Sequence, residues 1–397
     1  MFGQIAAISL TNLKTLSSRL GASSVVVVGV AGVVFVLTAL LAMANGLKET
    51  LRSTGEADRV LILGKGSRSE INGSITREQA AILAGKPGIV ATRDAQNQRI
   101  AFASGEIYAT ANLVRRDGKR AGLPVRGVGD AAFRVRPELT IVEGRRFEPG
   151  RFEVIVGVGA ARVFAGLAVG DRVSIKGATF DVVGHFAAAG HATESEAWMD
   201  VDVMANVFRR GQFLQSMLAR LESPDALATL TTAIDADRRL SNSLFRESDF
   251  YAAQSESSTR LMTVVGIAAA AIMAIGATFA ALNSLYAAVA ARTREIAILR
   301  ALGFSSSAVI VSVLAESLTL AALGGLLGAG LGWLAFDGAS MASVGATYSQ
   351  VAFRFAVTPQ LLGAGLALAL AIGFVGGLLP AIRAARQSIV VGLRALA

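Results

Sequence analysis

Four long apolar blocks dominate the pattern of hydrophobic and polar positions along this chain. Three contain no charged residue and the fourth contains one, Glu316; the blocks run from Leu20 to Leu47, Leu261 to Ala291, Ala301 to Phe336 and Phe355 to Ile382. A helix needs about 20 apolar residues to cross the hydrocarbon core of a bilayer. The pattern therefore predicts transmembrane helices at residues 20–47, 261–291, 305–336 and 355–382.

The polar segments between these blocks divide the rest of the chain. Residues 48–260 have ordinary polarity and are numerous enough for an independently folded domain. Their mixed helix and strand patterns predict an α+β fold whose last part is a stalk leading into the second helix. The expected fold class is a membrane protein with four transmembrane α-helices and a large α+β extracytoplasmic domain inserted between helices 1 and 2.

Two stretches of the domain carry the clearest strand patterns. In DRVSIKGATFDVVG (171–184) apolar and polar residues alternate on both sides of Gly177-Ala178, which suits a two-residue hairpin turn. FEVIVG (152–157) predicts a buried strand, followed by a short helix at 158–167. A further helix is expected to begin at residues 223–225.

The distribution of basic residues orients the predicted helices. The net charge is +9, and lysine and arginine favour the cytoplasmic side of a membrane. The segments before helix 1, between helices 2 and 3 and after helix 4 must lie on the same side of the membrane. They contain the basic residues Lys14, Arg19, Arg292, Arg294, Arg300, Arg383, Arg386 and Arg394. We therefore expect a cytoplasmic interfacial helix at 1–19, a cytoplasmic coupling segment at 292–304, a short external loop at 337–354 and a cytoplasmic tail at 383–397. The positive net charge is thus explained by the orientation of the helices in a lipid bilayer. No nucleic-acid partner is therefore expected.

The first apolar block has an alternative interpretation. Two basic residues, an apolar run and Ala42-Met43-Ala44 resemble a signal peptide with a small-residue cleavage site. The apolar run exceeds the length of about 7–15 residues usual in such signals. A retained transmembrane helix is therefore favoured, and a mature chain beginning at Asn45 would contradict it.

The coupling segment combines charged and apolar residues at helical spacing. RTREIAILRALGFSSS (292–307) predicts a short helix ended by Gly303, with Ser305 to Ser307 available to cap the next helix. Its residues would form two faces, a basic one with Arg294, Ala297 and Arg300, and an apolar one with Ile298, Leu299 and Leu302. An apolar face outside the bilayer core must contact lipid headgroups or a partner protein.

The same region resembles the signature of the FtsX/MacB-type permeases of ABC transporters, a mechanotransmission family also called type VII. The residues that carry the resemblance are Arg292, Arg294, Glu295, Ile296, Leu299, Arg300, Ala301, Leu302, Gly303, Glu316, Ser317, Gly324 and Gly328. The end of the chain, with Pro380, Ala384 and Ala385, is similar to the family's ending. Residues 142–184 resemble the MacB-type periplasmic core domain.

The resemblance implies a homodimer in the bacterial inner membrane whose coupling segments bind separate ATPase subunits. The residues expected to contact the ATPase are Arg292, Arg294, Glu295, Ile298, Leu299, Arg300, Leu302 and Gly303. The sequence contains no Gly-x-x-x-x-Gly-Lys-Ser/Thr phosphate loop, so we expect a non-enzymatic subunit of the split form. ATP and Mg²⁺ would be bound by the ATPase, and this chain would need no cofactor. A periplasmic adaptor or outer-membrane factor is a further expected partner.

Two functions are compatible with this resemblance. The leading hypothesis is a permease that transmits ATP-driven motion to its periplasmic domain for export, efflux or lipoprotein release. The alternative is a non-transporting FtsX-like regulator that activates an extracytoplasmic cell-wall hydrolase. Such regulators usually carry a smaller external domain, so the length of the segment at residues 48–260 favours the permease.

Polar residues and glycines inside the predicted helices are candidates for structural roles. Glu316 and Asn283 fall at similar depths of antiparallel helices, and we expect them to interact, with a buried hydrogen bond favoured over a proton relay. Gly324, Gly328 and Gly332 share one face, which would let another helix approach closely.

Metal binding and hydrolysis receive little support from the sequence. His185 and His191 precede Glu194 and Glu196, but a zinc site needs three or four convergent ligands, and residues 186–198 are expected to form a mobile loop. We therefore expect no metal. No Gly-x-Ser-x-Gly elbow of a serine hydrolase occurs in the sequence.

Overall fold

The computed structural model describes residues 20–344 and 350–388 and divides the chain into two units. The described parts of the membrane unit are residues 20–45, 260–339 and 355–388. The domain unit consists of Gly46–Thr259 and the described part of Ser340–Arg354. The predicted interfacial helix at 1–19 and the end of the tail at 389–397 lie outside the described residues.

Four long helices form the membrane unit, and two of them continue beyond it. The described residues contain ten α-helices: α1 (Leu20–Ser53), α2 (Arg77–Ala84), α3 (Ala131–Val135), α4 (Val158–Val163), α5 (Val201–Val207), α6 (Ala226–Asp235), α7 (Glu247–Ala291), α8 (Thr293–Ala301), α9 (Ser306–Phe336) and α10 (Pro359–Ala385). Helices α1, α7, α9 and α10 are long and apolar enough to cross a membrane. At 1.5 Å per residue, the 45 residues of α7 span about 67 Å, roughly twice the hydrocarbon core of a bilayer. Its first part is therefore long enough to be the predicted stalk.

Glycines allow the helices of the membrane unit to approach closely. A Cβ atom added to Gly324 of α9 would lie 2.7 Å from the Val27 carbonyl oxygen of α1, and one added to Gly332 would lie 2.8 Å from Thr38 Cγ2. Gly328 meets the backbone of Ala31 in the same way. The three glycines singled out in the sequence thus all lie against α1, where a larger side chain would separate the two backbones.

Helix α10 packs against both α9 and α7. Ser317 of α9 is fully buried and donates a hydrogen bond of 2.6 Å to the Gly373 carbonyl of α10. A Cβ atom on Gly376 would lie 2.9 Å from Ala281 Cβ of α7. The bond satisfies the Ser317 hydroxyl, which lipid chains could not do because they have no hydrogen-bonding groups.

The domain unit contains a large mixed sheet. The described strands are β1 (Arg59–Gly64), β2 (Ile75–Thr76), β3 (Ala91–Arg93), β4 (Arg99–Ala101), β5 (Ala103–Val114), β6 (Arg120–Val128), β7 (Thr140–Gly144), β8 (Glu153–Gly157), β9 (Arg172–Ile175), β10 (Ala178–Ala187), β11 (Ala197–Asp200), β12 (Phe213–Leu214), β13 (Ser216–Arg220), β14 (Asn242–Arg246), β15 (Ser340–Val344) and β16 (Gln350–Arg354). Ten of them form one sheet in the order β14-β1-β13-β5-β6-β11-β8-β10-β7, with β9 added to β10. The pairs β6–β11 and β8–β10 are parallel.

Apolar residues of this sheet are buried under the short helices. One cluster joins β5, β6, β8 and β10 to α4 and α5 and contains Phe164, Phe180 and Met204. A second joins β1 and β13 to α2 and α6 and contains Leu83 and Leu230. Because both clusters lie within residues 60–240, the domain unit has a hydrophobic core of its own.

Three predictions for this unit need correction. The hairpin turn is Lys176-Gly177, since Ile175 pairs with Ala178 and both turn residues have positive φ, 54° and 87°, as a type I′ turn requires. Residues 186–198 are not a loop throughout, because β10 continues to Ala187 and Trp198 of β11 is fully buried. Residues 337–354 are more than a loop, since they contain the antiparallel pair β15–β16.

Candidate functional site

Backbone geometry sets off the coupling segment, residues 292–304, from the helices on both sides. At the end of α8, the Gly303 amide donates to the Arg300 carbonyl and the Phe304 amide donates to the Leu299 carbonyl. Gly303 has a φ of 93°, so these bonds form the glycine ending called a Schellman motif. Ser305 then caps α9 by accepting from the Ala308 amide at 3.2 Å. Helix α8 is thus a defined short helix between α7 and α9.

The first arginine of the coupling segment is buried in an ion pair. Arg292 Nη1 lies 2.8 Å from Glu316 Oε2 of α9, and Arg292 is only 6% exposed. Glu295, one turn along α8, lies 3.8 Å from the same guanidinium. Arg292 therefore bonds the start of α8 to α9, and its expected role in coupling to an ATPase stays a prediction.

The structure does not show the expected interaction of Glu316 with Asn283. Asn283 is exposed on α7, whereas Glu316 is buried and bonded to Arg292. The two polar residues fall at similar depths in sequence, but a short side chain on the outward face of α7 does not reach α9. The longer arginine at the end of α7 does.

A second arginine binds the end of α10. Arg300 Nη1 donates to the carbonyls of Ala385 at 2.7 Å and Gln387 at 3.1 Å. These carbonyls end a helix and carry partial negative charge, so a guanidinium stabilises them. Ala297 is buried at 4% exposure. Of the predicted basic face, Arg300 is consequently bonded to the end of α10 and Ala297 is buried, while Arg294 is exposed.

The exposed face of α8 is partly charged and partly apolar. Arg294 and Glu295 are exposed near its beginning, and Ile298 and Leu302 are 40% and 72% exposed toward its end. Leu299 is half-buried. Residues 294, 298 and 302 follow one another at intervals of four and form a continuous stripe. This stripe differs from both faces predicted from the sequence.

A small cavity lies beneath α8, within the membrane unit. It measures about 40 Å³ and is lined by Leu285, Ala288, Val289, Arg292, Glu295, Ile296, Leu299, Val309, Ser312, Val313 and Glu316. Most of this lining is apolar, while the Arg292–Glu316 pair supplies charge. The space beneath α8 is therefore small, and the two ion-paired side chains reach it.

The domain unit contains a buried charged cluster that the sequence analysis missed. Arg126 of β6 donates to Glu196 Oε2 at 2.7 Å, to Glu70 Oε1 at 2.8 Å and to Glu106 Oε2 at 2.7 Å. Arg136 donates to Glu106 Oε1 at 2.6 Å. Burial alone would raise the pKa of Glu106, but Arg136 and Arg126 overcome it and lower that pKa to about 2. The sequence does carry a signal for this cluster, namely a charged residue inside an apolar strand segment, such as Arg126 in PVRGV (124–128).

Both histidines contact glutamates rather than gathering into a ligand set. His185 Nδ1 lies 3.0 Å from Glu143, and His191 Nδ1 lies 3.9 Å from Glu138. Glu194 accepts from the amides of Ala188 and Gly190. Within the described part of the chain, no group of three or more metal-ligating side chains converges.

Comparisons with known proteins assign both units. Residues 23–237 match the MacB-like periplasmic core domain, and residues 267–389 match the FtsX-like permease C-terminal region. The chain is 30% identical over 134 residues to the uncharacterized ABC transporter permease YknZ of Bacillus subtilis, covering 34% of this chain and 32% of that protein. It is 25% identical over 244 residues to the macrolide export ATP-binding/permease protein MacB of Hyphomonas neptunium, covering 57% and 35%. The chain thus spans about a third of the length of these curated relatives.

Two solved structures show weak overall similarity. The periplasmic region of MacB from Actinobacillus actinomycetemcomitans aligns with 51% of this chain and 94% of its own, at 15% identity and a TM-score of 0.38. The extracellular domain of the noncanonic ABC-type transporter YknZ from Gram-positive bacteria aligns with 47% and 99%, at 15% identity and a TM-score of 0.35. The assignment therefore depends on the sequence comparisons.

The family assignment agrees with the architecture. The match to the MacB-like core domain covers more than half of the chain. The structure adds four membrane-length helices with the α+β domain inserted between the first and second of them. This chain belongs to the FtsX/MacB-type family of ABC transporter permeases.

Proposed function

We propose that this chain is the permease subunit of a transporter in which a separate ATPase subunit binds α8 and moves the domain unit. One relative is called an ATP-binding/permease protein, whereas the present sequence contains no phosphate loop. The proposal assigns the binding of ATP and Mg²⁺ to the ATPase subunit. The energy of hydrolysis would reach this chain as a force on α8.

The observation that carries the proposal is the way α8 is held. Arg292 attaches it to α9 and Arg300 attaches it to the end of α10, while Ile298 and Leu302 remain exposed beside Arg294. Exposed apolar side chains grouped on one short helix suit a partner protein. Because α8 is bonded to two membrane helices, a partner that displaces α8 would displace them as well.

The proposed assembly follows the charge distribution and the family. Arginines at residues 292–300 and 383–386 favour a cytoplasmic position, and this supports the proposal that the domain unit lies in the periplasm and the helices lie in the inner membrane. We propose that two copies associate and that a periplasmic adaptor or outer-membrane factor binds the domain units. The work done would be export, efflux or lipoprotein release.

Single-cysteine labelling tests the orientation. The sequence contains no cysteine, so Ala301→Cys introduces one thiol at an exposed position of α8, and Val142→Cys introduces one at an exposed position of β7. A membrane-impermeant maleimide added to intact spheroplasts should label the second position and not the first. Labelling of Ala301→Cys from outside would overturn the proposed function.

Co-purification tests the contact with the ATPase. The variant Ile298→Asp/Leu302→Asp should lose the ATPase that co-purifies with the tagged chain, because charge disrupts an apolar contact. Phe152→Asp, a matched change at an exposed aromatic residue of the domain unit, should retain it. Equal ATPase retention in both variants would contradict the assigned face. Recovery of a cell-wall hydrolase instead of transport partners would favour the regulator.

A further inference from the structure

The ends of α1 and α7 that belong to the domain unit lie beside a buried ion-pair cluster of that unit. Helix α1 ends at Ser53, and α7 begins at Glu247 directly after β14. Arg59, the first residue of β1, is 1% exposed. Its Nε lies 2.8 Å from Glu247 Oε2, and its Nη1 lies 2.7 Å from Glu138 Oε1. We call Arg59, Glu138 and Glu247 the anchor cluster.

The connection from α1 to β1 lies directly against the first turn of α7. The Glu56 amide donates to Glu247 Oε2 at 3.1 Å. Gly55 has a φ of 90°, and a Cβ atom there would lie 2.9 Å from the Glu247 backbone carbon. A side chain would therefore clash as well as strain the backbone. The end of α1 and the start of α7 are therefore closely packed.

The end of α1 is also bonded to the domain through Thr54. Its hydroxyl donates to the Thr50 carbonyl at 2.6 Å and accepts from the Ala192 amide at 2.8 Å. Ala192 begins the turn that leads to β11 in the centre of the sheet. Within the domain unit, the ends of α1 and α7 are thus bonded to the rest of the unit at separate points.

The anchor cluster continues toward the buried charges of the sheet. Arg59 Nη1 donates to the Val135 carbonyl at the end of α3, at 3.3 Å. The next residue, Arg136, binds Glu106 of β5, which in turn binds Arg126 of β6. Two groups of ion pairs, one at Glu247 and one in the middle of the sheet, are therefore connected through the Val135 carbonyl and the backbone of Val135-Arg136. Partners held by several charge-assisted bonds resist relative displacement better than a flexible linker does.

We propose that the anchor cluster is a joint within the domain unit that transmits movement of the adjoining ends of α1 and α7 to the sheet, with Arg59 as its positioning residue. The inference rests on the proposed function, because it needs a force that arrives along these helices. The guanidinium binds two carboxylates from different elements, a task that its planar fork suits and that a lysine ammonium does not reproduce. Without Arg59, the start of α7 could change its angle to the sheet, and the sheet would not follow the movement of the helix.

The test compares Arg59→Lys with Arg220→Lys, which alters the nearby but half-exposed ion pair of Arg220 with Asp58. Cysteines for spin labels are placed at Ala253, exposed on α7, and at Val142, exposed on β7. In the full chain in nanodiscs, the distance between the labels should be narrowly distributed for the parent and Arg220→Lys. It should broaden for Arg59→Lys.

The second readout follows the complex with its co-purifying ATPase. When Val142→Cys is the only labelled position, each of the two copies carries one label. In the parent, addition of ATP should change the distance between these two labels. In Arg59→Lys that change should fall by more than half while the ATPase rate is retained. Glu247→Gln preserves the shape of the side chain and provides the same test if Arg59→Lys does not fold.

The outcomes separate the two proposals. A parent complex that hydrolyses ATP without any change in the inter-copy distance overturns the proposed function, while the width of the Ala253–Val142 distance still reports on the joint. An unchanged width together with an unchanged ATP response in Arg59→Lys and Glu247→Gln overturns the joint. A broadened distribution with a reduced ATP response supports it.

Discussion

The packing of α1 on α9 makes a sharp prediction for Gly324→Ala. The added methyl carbon would lie 2.7 Å from the Val27 carbonyl oxygen and 2.9 Å from Val30 Cβ. The first neighbour is backbone and cannot rotate away, so the helices must separate by roughly half an ångström to restore ordinary van der Waals distances. Overpacking of this kind costs about 1–3 kcal/mol. We expect Gly324→Ala to lower the free energy of unfolding by that amount.

A matched control separates packing from helix propensity. Gly330 lies on the same helix, and a Cβ atom there meets no atom within 4 Å. Gly330→Ala should therefore keep or raise the stability, by up to about 1 kcal/mol, since alanine is the better helix former. Unfolding in mixed detergent micelles, followed by circular dichroism, measures both variants. Equal stability of the two within about 0.5 kcal/mol would refute the close approach of α1 and α9.

Three further predictions follow from the charged contacts. Glu316→Gln leaves a buried guanidinium without its counter-charge and should cost about 3–5 kcal/mol in the same unfolding assay; a smaller loss than Gly324→Ala would show that the pair is not buried. Arg300→Met removes two hydrogen bonds to the end of α10 and should cost about 2 kcal/mol while the ATPase still co-purifies; loss of the ATPase without loss of stability would make Arg300 a contact residue instead. The pKa of Glu106 is lowered to about 2, so its stabilisation, about 3 kcal/mol, is present above its ordinary pKa of 4.5 and disappears as the pH falls toward 2. Tryptophan fluorescence of Glu106→Gln should accordingly lose this acid dependence, and an unchanged acid transition would contradict the assignment.

The membrane helices could be predicted from the sequence because a long apolar run needs no tertiary information. The end of α8 and the start of α9 were also predictable, since Gly303 and Ser305 act on the backbone next to them. The partner of Glu316 was not, because it depends on how α7 is rotated and on the reach of Arg292. Periodicity defines faces of a helix but does not say which of them is covered.

The buried charges of the domain unit illustrate the same limit. Arg126 and Glu196 lie 70 residues apart and come together only because β6 and β11 pair in parallel, with Arg126 opposite Trp198. Glu106 reaches the same place from β5. A single charge in an apolar strand signals a buried partner, but the identity of that partner requires the order of strands. For this reason the sequence analysis found the strand near residue 155 and missed the ion pairs beside it.

The pairing of β1 with β14 has a consequence for how such proteins diversify. The chain enters the domain at the start of β1 and leaves at the end of β14, and Val60 lies opposite Arg246 in that antiparallel pair. Entrance and exit are therefore neighbours, as in domains that tolerate insertion into a host protein. Any fold whose two termini lie side by side could occupy this place without disturbing the four-helix frame. Evolution, or an engineer, could therefore exchange the inserted domain while keeping the same four membrane helices.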